Sequence, residues 1–189
     1  MTITAHLEQQ VAGLRESLTN AGIGSAYHYK TLKEVAPDLE PMATTTIKDN
    51  AERGTGMVFI GGIKAYDELI LVARALQLQN VSSFVIQLTR LIKWIDYNAD
   101  DLQLIERSQC LFIPRFSDMG ECPFTHHERR WVEDFIGDRI DNGHSFFAQV
   151  SGTLNGSGWW SENFVERVSR ATIVRQSDES GANPSPRPN

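Results

Sequence analysis

Met57-Val58-Phe59-Ile60-Gly61-Gly62-Ile63-Lys64-Ala65-Tyr66-Asp67-Glu68 is the stretch on which the fold turns. Four consecutive apolar residues, 57–60, suit a strand buried on both faces. Gly61-Gly62 is a turn signal, and the strongly apolar run from Ala65 to Leu78 has the length of a helix. The same alternation continues down the chain. Ser83-Phe84-Val85-Ile86 and Cys110-Leu111-Phe112-Ile113 read as two further strands, Ser145 to Val150 as a fourth and Ala171 to Val174 as a fifth. Leu88 to Asp96, a short Leu102 to Glu106 segment, Glu128 to Asn142 closed by Gly143, and Trp160 to Ser169 read as helices. Strands alternating with helices predict parallel pairing through right-handed crossovers. The fold class is therefore α/β, three layers with a five-stranded parallel sheet.

Upstream of this core, Ile3, Leu7, Val11, Leu14 and Leu18 recur at three- and four-residue steps. They predict an amphipathic helix over 1–20, ended by Gly22 and Gly24. Residues 21–56 carry Pro37, Pro41, Thr44-Thr45-Thr46 and Gly54-Thr55-Gly56 and read as connecting chain. The α/β domain then occupies 57–174, and 175–189, with its three prolines, is expected to be a disordered tail. A length of 189 residues suits one domain, and 41% hydrophobic with 22% charged residues is ordinary for a soluble protein. No apolar run spans a bilayer and the N-terminus lacks a signal peptide's pattern, so the expected location is the cytoplasm. The net charge of −6 confines any nucleic-acid binding to a local basic patch. Cys110 and Cys122 make no disulfide framework, and Cys122 with His126 and His127 fits no structural zinc spacing. No metal and no cofactor is expected.

A P-loop in the place of Gly61 to Glu68 would read G-x-x-x-x-G-K-[ST], because backbone N–H groups, a lysine and a hydroxyl face phosphate and magnesium there. Aligned on the flanking strand and helix, Gly61 and Gly62 remain, Asp67 takes the lysine position and Glu68 the hydroxyl position. A carboxylate ~4 Å from a phosphate costs about 4 kcal/mol at an effective dielectric of ~20. The charge of the motif is inverted.

Three stretches outside it carry a resemblance. Ala21-Gly22-Ile23-Gly24-Ser25-Ala26-Tyr27 with Thr31-Leu32, then Thr125, Glu128, Phe135, Ile136, Arg139, Asn142 and Gly143, then Glu166-Arg167-Val168-Ser169-Arg170, occur in that order. Together they resemble the bacterial helicase-loader family of DnaC type and its transposase-helper relatives, over roughly residues 14–174. The resemblance implies an AAA+ fold, with Gly24 in place of a family proline and Ala26 in place of an arginine. It also implies two acidic Mg²⁺ residues after Cys110-Leu111-Phe112-Ile113, where this chain has Pro114 and Arg115. The family's γ-phosphate-sensing asparagine corresponds to about Ser151. With these groups gone, phosphoryl transfer has no electrostatic stabiliser left, and a pseudo-ATPase is expected.

Function is then expected to lie in partner binding, with small size pointing to a phage or other mobile element. The resemblance implies a hexameric replicative helicase as partner, bound through the N-terminal stripe Ile3, Leu7, Val11, Leu14 and Leu18, with an oligomer forming on the helicase ring. It implies arginine-finger candidates at Arg167 and Arg170, and single-stranded DNA binding at Arg90, Lys93 and Trp94, where cation and aromatic suit backbone and base. The bland readings are ordinary salt bridges for the two arginines, a core place for Trp94, and packing of the stripe on its own domain. Trp159-Trp160 is either a recognition patch or core. The competing functions are an adaptor in a transposition or conjugation ATPase assembly, an inhibitor of the host helicase loader, and an enzyme with an unusual site.

Overall fold

The computed structural model describes residues 3–97, 100–116, 124–154 and 158–177, with backbone alone described over 3–8. The apolar runs become strands β1 (Gly56–Ile60), β2 (Ser83–Val85), β3 (Cys110–Ile113), β4 (Ser145–Val150) and β5 (Thr172–Gln176). They form one parallel sheet in the order β2-β3-β4-β1-β5. The three central strands bury every residue of Cys110–Ile113 and Ser145–Val150 and four of the five in Gly56–Ile60. That explains why they read as unbroken apolar runs.

The helices are α1 (Ile3–Asn20), α2 (Leu32–Val35), α3 (Leu39–Ala43), α4 (Thr46–Glu52), α5 (Ile63–Leu78), α6 (Leu88–Asp96), α7 (Leu102–Arg107), α8 (His126–Asp141) and α9 (Glu162–Ala171). Two apolar clusters flank the sheet. One holds α5 with the N-terminal helices, including Leu18, Leu39, Leu69 and Phe147; the other holds α6, α8 and α9, including Leu91, Ile136 and Phe164. This is the three-layer α/β architecture expected, with one five-stranded parallel sheet.

Local chemistry sets the helix ends. Thr125 Oγ1 accepts the Glu128 N–H at 3.2 Å while Glu128 Oε2 accepts the Thr125 N–H at 2.6 Å, a reciprocal cap on α8. Ser161 caps α9 by accepting the Phe164 N–H. Glu133 of α8 in turn accepts from both the N–H and the hydroxyl of Ser161, tying the two helices together.

Two expectations need correction. Residues 21–56 are not plain connecting chain: they hold α2, α3 and α4, whose Leu32, Leu39, Ala43, Ile47 and Ala51 are buried. The ordered chain also continues past Val174, because Arg175 and Gln176 extend β5 alongside Phe59 and Ile60. Residues 178–189, the rest of the expected tail, lie outside the described residues.

Gly22 shows how the edge of the sheet is closed. The Val85 N–H of edge strand β2 donates to the Ala21 carbonyl at 2.8 Å. Gly22 has φ +77, and a Cβ there would stand 2.1 Å from the Val85 oxygen. The segment 21–23 thus covers strand hydrogen-bonding groups that would otherwise be left open.

Candidate functional site

The β1–α5 turn lies at the carboxyl end of the sheet, where open α/β sheets take their ligands. Only Gly61 and Gly62 separate strand from helix. A P-loop places four residues between its two glycines, and this turn has no chain with which to form that cradle. Gly61 adopts φ +141, and a Cβ on it would come 3.1 Å from the Ser177 oxygen. Its N–H donates to the Val150 carbonyl at 2.9 Å and its carbonyl accepts from Gln149 Nε2 at 2.7 Å. Both of its polar backbone groups are therefore bonded within the protein.

The two carboxylates at the lysine and hydroxyl positions of the motif have partners within the chain. Glu68 is fully buried. Arg175 donates to it twice, from Nε at 3.0 Å and Nη2 at 3.3 Å, and the Ser177 hydroxyl donates to it as well. Arg175 Nη1 also stands 2.9 Å from Asp38 Oδ2. Burial works against the Arg175 charge, but hydrogen bonds to Glu68 and Asp38 outweigh it and hold the pKa above its ordinary value. The same contact, more than any other influence, draws the Asp38 carboxyl below the usual range. Asp67 accepts from the Tyr27 hydroxyl at 2.5 Å and lies 3.8 Å from Lys30 Nζ. Burial first, then that bond to Asp67, push the Tyr27 hydroxyl pKa up. The partners of Glu68 follow from burial, because a carboxylate as buried as Glu68 needs a cation and hydrogen-bond donors.

At the end of β3, Pro114 is buried and Arg115 is exposed. Arg115 has φ +54, a conformation that costs roughly 1–3 kcal/mol for a non-glycine residue. The Gln149 side chain compensates by accepting its N–H at 2.8 Å. Its guanidinium lies 6.0 Å from the Tyr66 ring centre, a cation where the family resemblance implies a carboxylate.

On α6, Arg90 lies 4.7 Å over the Trp94 ring, and Trp94 tilts against Phe84 at 6.0 Å. Trp94 is half-buried and Lys93 exposed. Arg90 and Trp94 border a cleft of about 470 Å³ whose other walls include Tyr27, Tyr66, Phe84 and Gly24. Lys30 sits 5.0 Å over the Tyr27 ring, so cations and aromatics are neighbours along this edge.

The remaining candidates divide. Arg167 pairs with Asp141 of α8 and lies so close over Gly137 that a Cβ there would meet Nη1 at 2.0 Å. Arg170 pairs with Glu166 one turn away. Both arginine-finger candidates thus make ordinary intrachain ion pairs. The N-terminal stripe splits as well: Leu18 is core at 1% exposure, whereas Val11 and Leu14 are 44% and 41% exposed. Leu18 is accordingly no arm residue, and the side chains of Ile3 and Leu7 lie outside the described residues. Trp160 is buried and stacked on Phe116 at 4.5 Å, while Trp159 is half-buried and stacks on His126 at 6.1 Å. Cys122 lies outside the described residues; among those described, no three metal-binding side chains cluster. Buried Cys110 has its thiol pKa pushed up to about 12, chiefly by desolvation.

No protein-family model matches the sequence. No curated protein matches it. Among solved structures, the chain is similar to the DnaC helicase loader, with a TM-score of 0.60 and 15% identity over 79% of this chain and 94% of that one. The fold is that of the DnaC-type AAA+ loaders. DnaI gives the same TM-score of 0.60 at 14% identity, over 78% of this chain and 90% of DnaI. AMPPCP-bound DnaA from Aquifex aeolicus gives 0.63 at 6% identity, over 82% of this chain and 50% of DnaA. Asp38, Arg175 and Ser177, which gather around Glu68, are residues that the sequence alone did not point to. The one available signal was the β-prone Thr172-Ile173-Val174 run leading directly into Arg175.

Proposed function

We propose that this is a loader-like replication protein that engages a hexameric replicative helicase without hydrolysing ATP. The observation that carries the reading is the two-residue β1–α5 turn, with Glu68 behind it bound to Arg175 and Ser177. Phosphoryl transfer needs a phosphate cradle, a lysine and held Mg²⁺. Here the cradle has no length, its lysine position is Asp67, and Arg115 replaces a metal ligand. A loader core without that chemistry acts through its surfaces, in keeping with a phage or other mobile-element origin.

The partner surface we assign is the outer face of α1. Val11 and Leu14 form an exposed apolar pair one turn apart, and the helix is anchored at its far end by Leu18 and by the Gln77 amide, which donates to the Ser17 hydroxyl at 3.0 Å. An anchored helix with an apolar outer stripe suits docking into a groove. Several copies docked in this way would form an oligomer on the helicase ring. Single-stranded DNA is the second partner, at Arg90, Lys93 and Trp94. DnaA, which shares the fold, has been seen bound to AMPPCP and single-stranded DNA.

The test is Val11→Asp/Leu14→Asp, with helicase affinity and melting temperature measured together. Lost affinity with an unchanged melting temperature supports the assignment. Retained affinity removes α1 as the docking face.

A further inference from the structure

Residues 31–53 form a shoulder of three short helices whose longest member is α4, at seven residues. Helices this short are not stable by themselves. Their buried residues are Leu32, Leu39 and Ile47 with the small Ala36, Ala43 and Ala51. Polar ties supplement that packing and help hold the shoulder against the sheet.

One guanidinium supplies such a tie. Arg175, on edge strand β5, donates two bonds to Glu68 in the second turn of α5 and one to Asp38, which begins α3. Ser177 fastens the same end of β5 by donating its hydroxyl to Glu68 and its N–H to the Ile60 carbonyl at 2.9 Å. Residues 38, 68 and 175 come from three parts of the chain and meet on a single side chain. Glu68 is fully buried and Arg175 largely so, while the Asp38 side chain is 64% exposed. The Glu68–Arg175 pair is thus the fixed half of the arrangement, and Asp38 the half that can let go.

We infer that Arg175 is a built-in latch: it pins the 31–53 shoulder to α5 and β5 through a fixed pair with Glu68 and a releasable one with Asp38. A guanidinium suits it because its fork engages one carboxylate with two nitrogens and keeps a third for another. The inference goes beyond the helicase reading and does not depend on it.

Hydrogen exchange of the free, full chain tests it, with peptides covering 31–45 compared against α8 at 126–141. Asp38→Asn removes only the exposed half of the latch and leaves the buried pair intact. It should speed exchange in 31–45 by about twofold to fivefold, the range of a partly exposed ion pair, and leave 126–141 unchanged. Arg175→Lys should resemble Asp38→Asn, because one ammonium cannot span both carboxylates. Arg175→Met should speed exchange in 31–45 by roughly tenfold or more. Wild-type exchange in 31–45 for Asp38→Asn and Arg175→Met overturns the latch. So does equal loss of protection in 31–45 and 126–141 in Asp38→Asn, since the contact would then support the whole fold rather than the shoulder.

Discussion

Restoring the phosphate-binding side chains alone will not restore nucleotide binding. The perturbation is Asp67→Lys/Glu68→Thr, which rebuilds the lysine and hydroxyl of a P-loop. The backbone argues against recovery, since Gly61 and Gly62 are the whole turn and the Gly61 N–H is already held by the Val150 carbonyl. Removing Glu68 also strands Arg175. Breaking a buried ion pair from one side costs roughly 3–5 kcal/mol, and the lower end applies because Arg175 keeps Asp38. For a chain of this size each kcal/mol moves the melting temperature by about 2–4 °C, so the variant should melt about 6–12 °C below wild type. A ligand at a hundredfold excess over its Kd would return about 2.7 kcal/mol, or roughly 5–11 °C. The assay is a thermal melt of wild type and variant with and without millimolar Mg-ATP. The expected result is a lower melting temperature that ATP leaves unmoved. A rise of several degrees with Mg-ATP in the variant would refute the backbone argument; the same rise in wild type would refute the inverted-charge argument as well.

Gly22→Ala should cost more than about 2 kcal/mol in urea unfolding, because left-handed strain is compounded by a Cβ 2.1 Å from the Val85 oxygen; a near-neutral result would show that segment 21–23 does not close the β2 edge. Arg90→Ala/Lys93→Ala should weaken single-stranded DNA binding, reduce its log–log salt slope by about 1.4 and leave melting unchanged; unaltered affinity, or none in wild type at low salt, removes DNA as a partner. The His144 pKa is lowered first by burial and then by repulsion from Arg139. As the pH falls, unfolded chains gain this proton before folded ones do, so the associated stability is complete above about pH 6.5 and is lost below it. The urea midpoint should therefore fall between about pH 7 and 5, and His144→Gln should flatten that slope. An identical slope in the variant would assign the effect to other groups.

The sheet was legible because buried parallel strands write themselves as apolar runs. Cys110–Ile113 and Ser145–Val150, and the helix Leu88–Asp96, were read with the boundaries they have. The 21–56 region was misread because Pro37 and Pro41 and the threonine run break any helical period longer than two turns. The end of β5 was missed because an edge strand needs no apolar stripe, so Arg175-Gln176 resembled tail. Half of the site was legible. The wrong charges at 67, 68, 114 and 115 stand in the sequence, but the partner of Glu68 lies 107 residues away, and no spacing rule reaches that far. The arginine-finger candidates rest on family positions and the stripe on helical spacing, and neither reveals that Asp141 holds Arg167 or that Leu18 is core.

Helicase engagement without ATP hydrolysis is tested by titrating purified hexameric replicative helicase with this protein, by light scattering after size exclusion, first in EDTA without nucleotide and then with Mg-ATP. A complex of the same stoichiometry and affinity is expected in both conditions, with no phosphate released by this chain alone. No complex in either condition, or one that forms only with Mg-ATP bound to this protein, would contradict it.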